Sequence, residues 1–195
     1  MSAVPAGADD SPVSTPDVPA QTRLGPVLVA LAIGSAVSIG IGVYGRLHNP
    51  TGQAINLAGF SSGLAVKAWL TTLAFLFALV QIFTAMILYG RIKISGEWVA
   101  PVHRWSGRIA VALVVPVAVH CLYALGFQGY STRVLVHSSL GCFFFGAFVC
   151  KMLILTRNDS PSWALPTLGG AVFSGLTALW MTAALWFFST NGLTF

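Results

Sequence analysis

The sequence predicts an all-α integral membrane protein, a bundle of five transmembrane helices. The chain of 195 residues is 56% hydrophobic and only 8% charged, whereas a soluble domain usually carries about 25% charge. Its apolar residues form five long runs, each of about 20 residues, which is the length that crosses a hydrocarbon core about 30 Å thick. All five acidic residues lie outside these runs.

The first two predicted spans are residues 25–44 and 64–89. Glycine, serine and alanine are frequent in the first span, and small residues let helices approach closely in lipid, so we expect a tightly packed face there. The polar stretch between the two spans, residues 45–62, is expected outside the hydrocarbon core. The second span stops at a Tyr-Gly-Arg-Ile-Lys sequence, whose aromatic and basic groups are typical of a membrane-surface anchor.

The third predicted span covers residues 103–127. Pro101 and the polar stretch before it are expected to separate this span from the second one. Pro116 lies inside the span and is expected to kink it, because proline removes a backbone hydrogen bond. The fourth and fifth spans are residues 134–155 and 163–188.

Two short segments flank the predicted transmembrane domain of residues 25–188. Residues 1–24 are rich in Pro, Ala, Ser and Asp without apolar periodicity, which is typical of a disordered tail. Residues 189–195 are expected to form a short tail at the other end, with no soluble domain after it.

The basic residues predict the orientation. Five spans place the termini on opposite sides, and seven of the ten lysines and arginines lie on the N-terminal side. Because cytoplasmic loops carry an excess of these residues, we expect a cell-membrane protein with a cytoplasmic N-terminus and an external C-terminus. The net charge of +5 is explained by these helix-end residues, so membrane lipid and not nucleic acid is the expected partner.

Two histidines, His120 and His137, are the strongest functional candidates. They lie on consecutive antiparallel spans at similar depth, and an ionisable residue inside a bilayer is costly and usually functional. Two neutral imidazoles facing each other across a gap are what a six-coordinate b-type haem requires. Arg133 is a candidate partner for a haem propionate, and Gly141 leaves space one turn after His137.

Other interpretations of the two histidines stay open. Both can be core polar groups that hydrogen-bond to the backbone or to each other. A catalytic metal site and a proton-coupled carrier are disfavoured, because no carboxylate lies inside any span. Cys121, Cys142 and Cys150 form neither a C-x-x-C pair nor a C-x-x-C-H motif, so they are expected to be small core residues.

His103 lies 17 residues before His120, roughly 25 Å away along the helix axis at about 1.5 Å per residue. It is therefore expected near the opposite membrane surface, where a second haem would need another ligand from a neighbouring helix. Those helices offer no histidine at that end, so His103 is interpreted as an interfacial residue, with metal ligation as the lesser alternative. His48 is expected to be a solvated loop residue.

The third span also carries a family resemblance. Its residues His103-Arg104-Trp105-Ser106-Gly107-Arg108, followed by His120 and Tyr123, resemble the haem helix of ferric-reductase-like and cytochrome b561-like membrane domains. His137-Ser-Ser-Leu-Gly141 is similar to the H-x-x-x-G pattern of such helices. The resemblance implies one b-type haem bound by His120 and His137, with Tyr123 in the haem site, His103 as a weaker ligand candidate, and electron transfer through the membrane.

The chain departs from those families in two respects. They usually hold two haems on four histidines of alternate helices. Here the outer pair lies on consecutive helices, and the inner pair is incomplete because His103 has no second histidine. Residues 24–188 as a whole also resemble an uncharacterised family of small five-span bacterial membrane proteins, which implies no activity.

The sequence thus predicts a membrane b-type cytochrome-like electron-transfer subunit, an oxidoreductase component with one haem near the outer leaflet. Since no flavin or nicotinamide domain is present, we expect a partner redox subunit or a quinol, and an external acceptor. The alternatives are a structural or assembly subunit of a membrane complex without cofactor, and a small carrier with histidines on its path.

Overall fold

The protein is a bundle of five long apolar helices. The computed structural model describes residues 24–53, 56–57 and 59–195, and no strand occurs in those ranges. The helices are α1 Gly25–Leu47, α2 Gly63–Leu88, α3 Val99–Leu125, α4 Thr132–Leu155 and α5 Ala164–Asn191. Their length and mean hydropathy of 1.6 to 2.2 are those of membrane spans. The prediction of an all-α, five-span, multi-pass membrane protein is therefore confirmed.

The third helix begins earlier than the sequence predicted. It starts at Val99, so Pro101 lies inside its first turn and does not separate it from α2. The prediction was wrong because the first N–H groups of a helix have no intrahelical acceptor, and a proline there loses little. The tail predicted for residues 1–24 lies outside the described residues, apart from Leu24.

The last residues of the chain fold back onto the start of α2. Trp69 Nε1 donates to Thr194 O at 2.9 Å, and the Trp69 ring stacks on Phe195 at a centroid separation of 4.6 Å. This contact places the C-terminus on the same side as the α1–α2 and α3–α4 connections. We call that side the C-terminal face, and the opposite side, with residues 89–98 and 156–163, the N-terminal face.

The helices do not pack in chain order. α1 lies against α4, α4 against α5, α5 against α2, and α2 against α3. In contrast, α3 and α4 make little direct backbone contact, although only six residues join them. On the C-terminal face Phe127 N–H donates to Gly45 O at 2.7 Å, which holds the end of α3 near the end of α1.

The tightest helix contact joins α1 to α4. A β-carbon added to Gly34 would lie 2.6 Å from Gly146 O, and Ser38 Oγ donates to Cys142 O at 2.8 Å. The packed face predicted for the first span is therefore confirmed, with small residues facing each other on both helices.

A cluster of buried apolar side chains fills the bundle between α2, α3, α4 and α5. Its members are Ala74, Ala78, Val114, Phe144, Leu176 and Leu179. Phe144 lies two turns after His137 on α4, and Val114 lies six residues before His120 on α3. The cluster therefore closes the space between the helices on the N-terminal side of both histidines.

The α1–α4 contact can be tested with two glycines. Gly146→Ala places a methyl group against Ser38 and Gly34 O, and overpacking of this kind costs about 1–3 kcal/mol. We expect a lower free energy of unfolding, measured by denaturant titration in detergent micelles. Gly40→Ala is the control, because a β-carbon at Gly40 meets no atom within 4 Å. Equal stability of the two variants would contradict the close contact.

Candidate functional site

His137 is held in one orientation by α5. Its Nδ1 lies 2.9 Å from Thr182 Oγ1, and the Thr182 hydroxyl donates its one proton to Ala178 O at 2.8 Å. When the hydroxyl donates to Ala178 O, it accepts from His137 Nδ1, and the imidazole in that tautomer carries its proton on Nδ1. The Nε2 atom is left with a free lone pair, which is the form that ligates a metal.

A π-helical segment in α5, Met181–Leu185, provides the second contact with α4. In a regular α-helix Trp186 N–H would donate to Thr182 O, but here it donates to Ala183 O. Thr182 O instead accepts from Arg133 Nη1 at 2.7 Å, and the Arg133 guanidinium lies 3.7 Å from the Trp186 ring centroid. Arg133, predicted as a propionate partner, is thus seated between α4 and α5 one turn from His137.

His120 is the unusual histidine. Its Nε2 atom is buried without a hydrogen-bond partner. An unpaired buried polar group costs about 1–3 kcal/mol, and each one calls for an explanation. A second π-helical segment, Cys121–Leu125, begins directly after it. Such single-turn segments occur frequently at functional sites, and here both lie beside the histidines.

The two histidines lie at similar depth on helices whose backbones do not pack directly against each other. His120 is five residues before the end of α3, and His137 is five residues after the start of α4. These are the two consecutive helices with little direct packing. A β-carbon added to Gly141, one turn from His137, meets no atom within 4 Å, so there is space on this part of α4.

Lys67 is a member of the site that sequence reasoning missed. It is half-buried four residues into α2, and its ammonium lies within electrostatic range of His120, Cys121 and His137. The available signal was that Lys67 is the one charged residue within α2. With Arg133 it gives the site a positive electrostatic character.

Tyr123 and His48 form a separate aromatic stack on the C-terminal face. The His48 ring stacks on Tyr44 at 5.1 Å and on Tyr123 at 5.2 Å, and its Nε2 lies 3.1 Å from Tyr123 O. The structure therefore places the Tyr123 ring, predicted beside the haem, against the end of α1. His48 itself is half-buried at the end of α1, and the two tyrosines that stack on it are exposed.

His103 is fixed in the same way as His137, but near the N-terminal face. Its Nδ1 lies 2.9 Å from Thr84 Oγ1, and Thr84 Oγ1 donates to Val80 O at 2.7 Å. Gln81 Nε2 donates to His103 O and to Ser106 Oγ at 2.8 Å. These bonds join α2 to α3, and Lys151 of α4 is the nearby charge.

A family model matches residues 27–195, and its description is "Family of unknown function (DUF6529)". The chain belongs to this DUF6529 family. No curated protein and no solved structure matches the chain. The matched residues include all four histidines and both π-helical segments of this DUF6529 protein.

Within the described part of the DUF6529 chain, no three His, Cys, Asp or Glu side chains are grouped as a metal site would need. The three cysteines are free, with Cys150 buried. The chemistry that the site can support therefore rests on two imidazoles, two cations and an apolar surround.

The Thr182 contact with His137 can be tested by Thr182→Val, which keeps the shape and removes the acceptor. An unpaired imidazole N–H is then left inside the bundle, and we expect a loss of about 1–3 kcal/mol in the free energy of unfolding. Thr177→Val is the control, because Thr177 Oγ1 bonds only to Phe173 O of its own helix, at 2.9 Å. A Thr182→Val variant as stable as this control would refute the proposed orientation of His137.

Proposed function

We propose that this DUF6529 protein is a membrane b-type cytochrome-like electron-transfer subunit, with one haem held between His120 and His137. The site lies toward the C-terminal face, which the charge distribution predicts to be external. The observation that carries the proposal is the buried Nε2 atom of His120, which has no hydrogen-bond partner among the described residues. Coordination of an iron atom would satisfy it.

The neighbouring residues fit such a group. A Thr182 hydroxyl that donates to Ala178 O accepts from His137 Nδ1 and leaves its Nε2 as a lone-pair donor. Metal-bound histidines almost always have their second nitrogen hydrogen-bonded in this way. Both histidines sit at one depth on α3 and α4, which do not pack closely together. His120 and His137 would hold a b-type haem through their imidazole nitrogens.

Lys67 and Arg133 supply the charge that a tetrapyrrole with two carboxylates requires. Lys67 is near both histidines, and no acid lies inside any of the five helices. A bound haem would supply a one-electron redox centre in an apolar environment. The protein residues would hold it, orient the ligands and exclude water through the buried cluster around Phe144.

A partner is part of the proposal. A single redox centre near the C-terminal face would not carry electrons across the whole bilayer. The opposite face, near which His103 lies, is roughly 25 Å away at about 1.5 Å per residue. The electron donor would therefore be a quinol or a partner redox subunit, and the acceptor would be external.

The second candidate function is a structural or assembly subunit without cofactor. It is favoured by the hydrogen bonds of His137 with Thr182 and of His103 with Thr84, each of which joins two helices. His120 disfavours this structural function, because its Nε2 atom makes no hydrogen bond to a neighbouring helix.

The proposal is tested by reduced-minus-oxidised absorption spectra of the purified protein, expressed with ample haem. We expect b-type bands in the wild type, and their loss in His120→Ala and His137→Ala, since each substitution removes an imidazole that would hold the haem. His48→Ala is the matched control on the same face, and it should keep the bands because His48 is engaged by Tyr44 and Tyr123.

Absence of haem bands from the wild type would reject the cytochrome function. Bands that survive in both His120→Ala and His137→Ala would retain the haem and reject these ligands. Bands lost equally in His48→Ala would show that the substitutions act through general unfolding.

The haem-free protein separates the two candidate functions by stability. His120→Leu removes an unpaired buried nitrogen, so we expect the free energy of unfolding to stay constant or to rise. His137→Leu removes a bond to Thr182 and should lower it by about 1 kcal/mol. Denaturant titration of protein from haem-deficient cells gives both values. Equal destabilisation by the two substitutions would favour the structural subunit.

A further inference from the structure

A groove lies between α1 and α4 at the N-terminal face, away from the histidines. Its volume is about 250 Å³, and its lining residues are Pro26, Val29, Ala30, Ile33, Leu153 and Arg157. The two helices meet most closely at Gly34 and Gly146. Beyond this contact the larger Ile33, Val29 and Leu153 border the groove.

The walls of the groove have the character of a lipid-chain site. Five of the six lining residues are apolar, and Val29 and Ile33 are 56% and 42% exposed. From Pro26 to Ile33 the groove extends roughly 10 Å at about 1.5 Å per residue, which is enough for the upper part of an acyl chain.

Arg157 gives the groove its one charged group. It follows the end of α4, where its backbone N–H donates to Ile154 O at 3.0 Å, so it lies at the level where a membrane helix leaves the hydrocarbon core. The guanidinium binds phosphate oxygens well because its donors match their geometry. Basic groups between helices at this level are typical of sites for anionic lipid headgroups.

We propose that this groove binds one anionic phospholipid, with its phosphate at Arg157 and an acyl chain along Val29 and Ile33. The groove is separate from the proposed haem site, because its α4 residue Leu153 lies 16 residues beyond His137, roughly 24 Å along the helix at about 1.5 Å per residue. Arg157 gives the preference for an anionic headgroup, and the apolar walls give the affinity for the chain.

The test compares phosphatidylglycerol with phosphatidylcholine of the same acyl chains, by native mass spectrometry of the full chain released from detergent micelles. We expect about a fivefold preference for phosphatidylglycerol, the effect of roughly one cation at a membrane surface. Arg157→Gln should abolish the preference. Arg104→Gln should keep it, because Arg104 is also exposed near this face but lies on α3, which packs against α2.

Val29→Trp fills the groove without changing its charge, and it should lower the binding of both lipids. Equal binding of the two lipids by the wild type, or an unchanged preference in Arg157→Gln, would overturn the proposal. It would also be overturned if the full chain bound neither lipid while a variant without residues 2–22 bound phosphatidylglycerol. The N-terminal segment would then be the occupant.

Discussion

Polar groups inside a lipid bilayer must find their partners within the protein, because the hydrocarbon core offers no water. This constraint accounts for most of the polar contacts between the helices. Thr84 Oγ1 and Thr182 Oγ1 each hydrogen-bond to a carbonyl oxygen of their own helix and to Nδ1 of a histidine on another helix. Within the described spans, His120 Nε2 is the one buried side-chain nitrogen or oxygen without a hydrogen-bond partner. The proposed haem site rests on that exception.

The lengths of the helices were predictable because lipid requires long apolar runs whatever the helix packs against. The order in which helices pack was not, because it depends on where small residues meet, as at Gly34 and Gly146. Pro101 shows why the start of a helix is hard to predict. A proline fits into the first turn of a helix as readily as it fits into the loop before it.

The sequence also indicated the depth of His120 and His137, since depth follows from counting residues along a helix. It did not indicate Thr182 or the π-helical segments, because a single extra residue in a turn leaves the hydropathy pattern unchanged. Lys67 was missed for another reason: a basic residue near a helix end was attributed to topology, whereas α2 places it beside both histidines.

The assignment of His120 Nε2 as a haem ligand is tested by the number of haem groups per chain. A haemochrome assay on quantified, purified protein gives the molar ratio of haem to DUF6529 chain. We expect one haem per chain in the wild type and none in a folded His120→Leu variant. A ratio of zero in the wild type, or a full complement of haem in His120→Leu, would contradict the assignment of His120 Nε2 as a ligand.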